Sequence, residues 1–298
     1  MRHTSGLIAL AGLAGLAALV SAQPSQSAGR PATPIPPPAP VQAAADAGPH
    51  AEILTADDLL IALETSDAGM TSLRTDLLWA QTFAIAGDMQ VRQGRLTYRV
   101  GEPAGEGLPP RRAFAVEFNQ KQVGDRLPAP ERIDYVFDGE WFLERIHADR
   151  QAFKRQVVPP GQQADPLRIG EGPFPIPVGQ KRDEILARFT AALIDPVADI
   201  DPRLVQFVQR GPGTFALELV PHPDLVEDST WRTIRIWYDK ETLEPRLAWT
   251  INAAEDESYV QLLNTQREIE IDEAVFSTSV PEDGWEIFVT PWDERVGG

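Results

Sequence analysis

Tyr135-Val136-Phe137-Asp138-Gly139-Glu140-Trp141 is the stretch that decides the fold. Three residues that favour extended backbone run into Asp-Gly, a pair suited to a tight reversal. Trp141 to Ile146 then leave as a second extended segment, so the stretch predicts a β-hairpin. The same period of two recurs outward from it. Upstream, Phe114, Val116 and Phe118 share one face of a strand over 113–118, and Gln90 to Val100 nearly alternate. Leu73, Thr75, Leu77 and Trp79 alternate with Arg74, Asp76 and Leu78, and Gly87-Asp88 supplies a turn. Downstream, 151–158 continues the sheet. After a Pro- and Gly-rich loop over 159–180, strands are predicted at 215–220, 233–238, 246–251 and 259–271. In Glu268-Ile269-Glu270-Ile271-Asp272 the carboxylates make a solvent face over a buried one.

Two helices interrupt the strands. The first opens at Thr55, an N-cap with Asp57 and Asp58 in the first turn, and runs to about residue 65. Leu59, Leu60, Ile61 and Leu63 give it an apolar side, and Gly69 lies in the break after it. The second is predicted over 183–194, where Ile185, Leu186, Phe189, Ala192 and Leu193 fit helical spacing and Asp195-Pro196 ends it. A short element is expected at 204–210, and 275–285 closes the domain. The order of helix, strands, helix, strands implies the α+β class. A long antiparallel sheet curves, so the expected architecture is an incomplete β-barrel with helices covering its concave side.

The N-terminus reads as an address. Met1-Arg2-His3 is positive, Leu7 to Val20 is an unbroken run of small and aliphatic residues, and Val20-Ser21-Ala22 suits a cleavage site. Residues 1–22 are therefore expected to be a signal peptide. Residues 23–50, rich in Pro, Ala, Ser and Gln, are expected to be a disordered tether. A single domain should fill 51–298. The chain has no cysteine, so it has no disulfide and no site for bacterial N-terminal lipidation. An exported, soluble, unlipidated periplasmic protein is expected.

The net charge of −17 opposes binding to nucleic acid or to anionic membrane surfaces. Catalytic signatures are missing. The four histidines are His3, His50, His147 and His222, and no pair has ligand spacing, so no metal and no cofactor is expected. There is no Gly-x-Ser-x-Gly elbow, no cysteine nucleophile and no phosphate loop. Asp138 and Glu140 are better read as turn residues than as an acid/base pair. An exported hydrolase would need Asp138, Glu140 and His147 around one pocket. Glu255-Asp256-Glu257 lacks calcium-loop spacing. No catalytic residue is expected.

What stands out instead is apolar bulk. Trp79, Phe83, Phe114, Phe118, Trp141, Phe142, Trp237 and Trp249 lie on strands or at their ends. They would either fill a core or line an apolar cavity. Together with the helical residues, the candidate lining set is Leu59, Leu63, Trp79, Phe114, Phe118, Trp141, Ile185 and Phe189.

The order of elements resembles the LolA family of periplasmic lipoprotein carriers. The resemblance is carried by the leading helix with Thr71-Ser72-Leu73-Arg74-Thr75-Asp76-Leu77-Leu78-Trp79, and by Gln93-Gly94-Arg95-Leu96-Thr97-Tyr98-Arg99. It is carried further by the Asp138-Gly139 hairpin and by Val275-Phe276 with Pro281-x-x-Gly284-Trp285. It spans roughly 52–286. It implies an incomplete barrel with a helical lid and an apolar cavity for the acyl chains of a lipoprotein or lipid. It also implies an arginine that holds the lid closed, for which Arg99, Arg111 and Arg112 are the candidates. An inner-membrane donor complex and an outer-membrane acceptor are the implied partners of a monomeric shuttle. The alternative is an envelope-stress module of the same fold that senses lipid or binds a membrane protein without transport.

Overall fold

The computed structural model describes residue 50 and residues 52–292, apart from 86, 104–109, 160–168, 170–178, 228 and 281–282. The expected signal peptide, nearly all of the tether and most of the 159–180 loop lie outside the described residues.

The first helix, α1 (Ala56–Asp67), starts as its sequence requires. Thr55 Oγ1 accepts the Asp58 N–H at 3.1 Å, and the Asp58 carboxylate accepts the Thr55 N–H at 2.9 Å. This reciprocal cap satisfies two of the donors a helix N-terminus leaves open. The hydrogen bonds from Thr55 and Leu54 hold the Asp58 carboxyl below its ordinary range. Leu59 and Leu60 are buried while Ile61, expected on the apolar side, is exposed. Each residue advances the helix by about 100°, which carries Ile61 off the stripe.

The strands follow as β1 (Ser72–Thr82), β2 (Met89–Pro103), β3 (Pro110–Val123), β4 (Ala129–Phe137), β5 (Trp141–Ile146) and β6 (Gln151–Gln156). After α2 (Arg182–Leu186) come β7 (Phe189–Ile194), α3 (Val205–Val208), β8 (Thr214–Pro221), β9 (Trp231–Asp239), β10 (Pro245–Asn252) and β11 (Glu257–Arg267). A 3-10 turn at Glu273–Phe276 and β12 (Glu286–Thr290) are the last of the described elements. The twelve strands of the described residues form one sheet in the order β12-β6-β5-β4-β3-β2-β1-β11-β10-β9-β8-β7. Neighbours are antiparallel except β12 and β6, which are parallel. The sheet curves without closing, as an incomplete barrel.

Three expectations change. Residues 183–194 are not one helix: α2 ends at Leu186, and Phe189 to Ile194 pair in register with β8 from Pro221 to Ala216. The spacing of Phe189, Ala192 and Leu193 suits a helix, but strand pairing along the open edge of β8 satisfies the backbone of the whole segment at once. The last long strand stops at Arg267, because Glu268 adopts φ +50 and turns its carboxylate back to the Thr71 N–H at 2.9 Å. An extra strand, β12, follows Trp285.

The two faces of the sheet are covered differently. The inner face gathers Leu73 and Leu77 of β1, Leu96 and Tyr98 of β2, Phe114, Val116 and Phe118 of β3, and residues of β8 to β11 into one buried cluster with Leu59, Leu60 and Ile185. So α1 and α2 lie on the concave side. The outer face is covered by segments whose place no local pattern marks. Ile271, Val275, Phe276, Val280 and Trp285 pack on Ala113, Ala115, Val136 and Leu143. At the other end α3 and the 195–204 segment cover Ala216, Trp237 and Leu247.

Candidate functional site

Strand parity fixes what each candidate residue touches. Phe114 and Phe118 are fully buried on the inner face. Trp79 stacks on Phe118 at a ring separation of 5.6 Å, and its indole N–H donates to Ser258 Oγ at 2.6 Å. Leu59, Ile185 and Phe189 are buried in the same cluster, and Leu63 packs against it. Phe189 arrives there from the first position of β7, not from a helix. All the lining candidates but one therefore meet. The exception is Trp141. Leu143, two residues on, belongs to the outer-face cluster, and Trp141 shares that face with the Lys154 ammonium 5.0 Å from its ring. The inward aromatic of this strand is Phe142, 6.1 Å from Tyr135 and 6.2 Å from Phe114. Trp237 and Trp249 also face outward, against the α3 side.

The three arginines separate by the same rule. Arg99 lies on the outer face, over the Phe276 ring at 4.8 Å and ion-paired to Glu273. Arg111 is also outward, its Nε donating to the Asp138 carbonyl at 2.7 Å. Neither reaches the helices. Arg112 has the parity of Phe114, and its Nη2 donates to the Gly179 carbonyl at 3.1 Å. Gly179 stands just ahead of α2, and its N–H donates to the Asp67 carboxylate at 2.9 Å. Asp67, in the last turn of α1, is ion-paired at 3.1 Å to Arg267 at the end of β11. At the other end of α1, Asp57 accepts Arg182 Nε of α2 at 2.6 Å. A short polar chain thus ties sheet, loop and both helices together. No local pattern marks Asp67 or Arg267, because the partners come from opposite ends of the domain.

Beside this chain lies a cleft of about 450 Å³, lined by Glu64, Asp67, Met70, Tyr98, Val100, Glu102, Arg112, Gly179 and Lys181 among others. A second, of about 590 Å³, sits on the outer side around Arg99, Arg111, Asp138 and Glu273. None of the lining candidates borders either cleft: all but Trp141 pack against one another, and Trp141 faces outward. Tyr98 is 1% exposed, and among the described residues its hydroxyl has no hydrogen-bond partner. Burial pushes this phenol up to about 12, and the nearby Arg112 charge opposes the rise.

The hydrolase constellation does not assemble. Asp138 is committed to its turn: its carboxylate accepts the N–H groups of Glu140 and Trp141 at 3.0 and 2.9 Å and the Thr278 hydroxyl at 2.7 Å. His147 lies beyond the far end of β5, roughly 20 Å from Glu140 by strand rise. It is bound to the buried Asp134 at 2.7 Å. Among the described residues, no helix is long and apolar enough to cross a membrane.

No family model matches the chain and no curated protein matches it. Solved structures do resemble it. An uncharacterized conserved protein from Thermus thermophilus is 12% identical, with 80% of this chain and 99% of that chain covered and a TM-score of 0.41. A DUF1329 family protein from Desulfovibrio piger is 10% identical over 75% and 96% of the two chains, with a TM-score of 0.37. A LolA superfamily protein from Nitrosomonas europaea is 9% identical over 75% and 98%, with a TM-score of 0.32.

Proposed function

We propose that this protein is a periplasmic carrier that holds the acyl chains of a lipid or lipoprotein between the sheet and its helical lid, and moves them towards the outer membrane. The observation behind this reading is the contrast between an extensive apolar inner face and the few polar bonds that fasten α1 and α2 over it. In the closed form described above the lid itself fills the apolar space.

Cargo must then compete with the lid. Lifting Leu59, Leu60 and Ile185 off the sheet forfeits about 5–9 kcal/mol, at roughly 1.5–3 kcal/mol for each side chain. A bound acyl chain returns about 0.8 kcal/mol per buried methylene. An eight-carbon chain offsets no more than the lower part of that cost, while a sixteen-carbon chain exceeds it. Uptake should therefore depend steeply on chain length. Titrating the purified protein with fatty acids of eight, twelve and sixteen carbons tests this, read by mass spectrometry of the complexes. Equal binding at all lengths, or none at sixteen carbons, would refute the carrier reading.

Arg112 is the arginine expected to govern the lid. Its charge-assisted bond to Gly179 contributes about 1.5 kcal/mol to the closed form. Arg112→Leu removes it and shifts the population towards the open, cargo-bound form, slowing release about tenfold. Arg99→Leu and Arg111→Leu, on the outer face, should release at the wild-type rate. The measurement is the off-rate of a fluorescent sixteen-carbon fatty acid. A sensor without transport would bind the same lipid but fail to pass it to acceptor vesicles, which separates the alternative.

A further inference from the structure

The carrier reading leaves the polar end of the cargo unplaced, and the cleft at the C-terminal end of α1 supplies a place. Its back wall is apolar: Met70 and Tyr98 belong to the inner cluster and Val100 packs against it. Space here is therefore continuous in character with the surface proposed to hold acyl chains. Two donors converge on one spot. A β-carbon built on Gly179 would stand 3.5 Å from Tyr98 Oη and 3.6 Å from Arg112 Nη2. Arg112 Nη2 donates to the Gly179 carbonyl, whereas the Tyr98 hydroxyl is buried with no partner among the described residues. A buried hydroxyl with no partner is costly to keep and needs a reason.

We propose that the Tyr98 hydroxyl donates to a neutral acyl carbonyl, the ester or amide oxygen at the head of an acyl chain, which takes the space beside Arg112 that the Gly179 carbonyl leaves when the lid opens. This rests on the carrier reading. The charge of the cleft selects the neutral group. Glu64, Asp67 and Glu102 line it together with Arg112 and Lys181, so the acids outnumber the cations and disfavour a free carboxylate.

The test compares wild type with Tyr98→Phe, a change that removes only the unpartnered hydroxyl and should leave the melting temperature no lower. Three probes are used: diphenylhexatriene, a hydrocarbon dye without oxygen, and monopalmitoylglycerol and palmitate as competitors for it. The expected result is that monopalmitoylglycerol weakens by about five- to tenfold in Tyr98→Phe, while the dye binds both proteins equally. An unchanged affinity for monopalmitoylglycerol overturns the subsite, as does a loss confined to palmitate or one shared by the dye. If wild type binds none of the three, the carrier reading falls and the subsite with it.

Discussion

Gly94→Ala is expected to destabilise this protein more than substitution of any exposed residue. Gly94 sits in β2 where the register with β3 slips by one residue. A β-carbon there would lie 2.1 Å from the Glu117 carbonyl oxygen and 2.8 Å from the Phe118 α-carbon. Both are backbone atoms, and neither can swing away as a side chain tip would. The pair β2–β3 must part locally, and Phe118, at the floor of the inner face, shifts with it. The expected cost is about 3 kcal/mol or more, read as a drop in the urea midpoint. Gly101→Ala, in the same strand, is the control. Its nearest neighbour would be the Arg111 carbonyl at 3.5 Å, an ordinary contact, so its midpoint should barely move.

Phe118→Ala is expected to have the other large effect, with opposite consequences for stability and binding. Phe118 is fully buried, stacked on Trp79 and edge-on to Tyr135 at 6.2 Å. Truncation should cost about 3–5 kcal/mol through lost transfer energy and the void left behind. That void is lined by apolar groups, stays dry and accepts apolar ligands. Part of the space that cargo must otherwise open is then already present. Denaturation should therefore show a less stable protein, while binding of a twelve-carbon fatty acid should tighten. Weaker uptake in a variant shown to be folded would mean that acyl chains do not enter this part of the face.

The hairpin at Asp138-Gly139 was legible because its information is local. Gly139 adopts φ +105, and Asp138 caps the turn with its own carboxylate. The inner-face aromatics of β3 were legible for the same reason, since alternation alone puts Phe114 and Phe118 on one side. That rule also contained the answer for the arginines. Arg112 shares parity with Phe114, and Arg111 does not, so counting back two residues puts Arg112, and not Arg111, on the inner face beside Gly179. The same count from Leu143 puts Trp141 on the outer face. What no count reveals is partnership across the sheet. Residues 189–194 carry a spacing compatible with either a helix or a strand, and only the presence of β8 decides. The cover supplied by Phe276 and Trp285, and the Asp67–Arg267 pair, likewise depend on tertiary arrangement.

The position of β1 has a consequence for how this molecule comes into being. It lies at the middle of the sheet, hydrogen-bonded to β2 on one side and to β11 on the other, with Leu73 opposite Arg267. Strands β1 to β6 can zip as successive hairpins, and so can β8 to β11, but the seam between the two halves joins the ends of the domain. Closing so long a loop is slow compared with local pairing. During synthesis the first half must wait, with one long edge of β1 unpaired, until almost the whole chain has appeared. An unpaired central strand is a template for pairing with other chains. Yield on refolding should therefore fall with protein concentration, set by this one late seam.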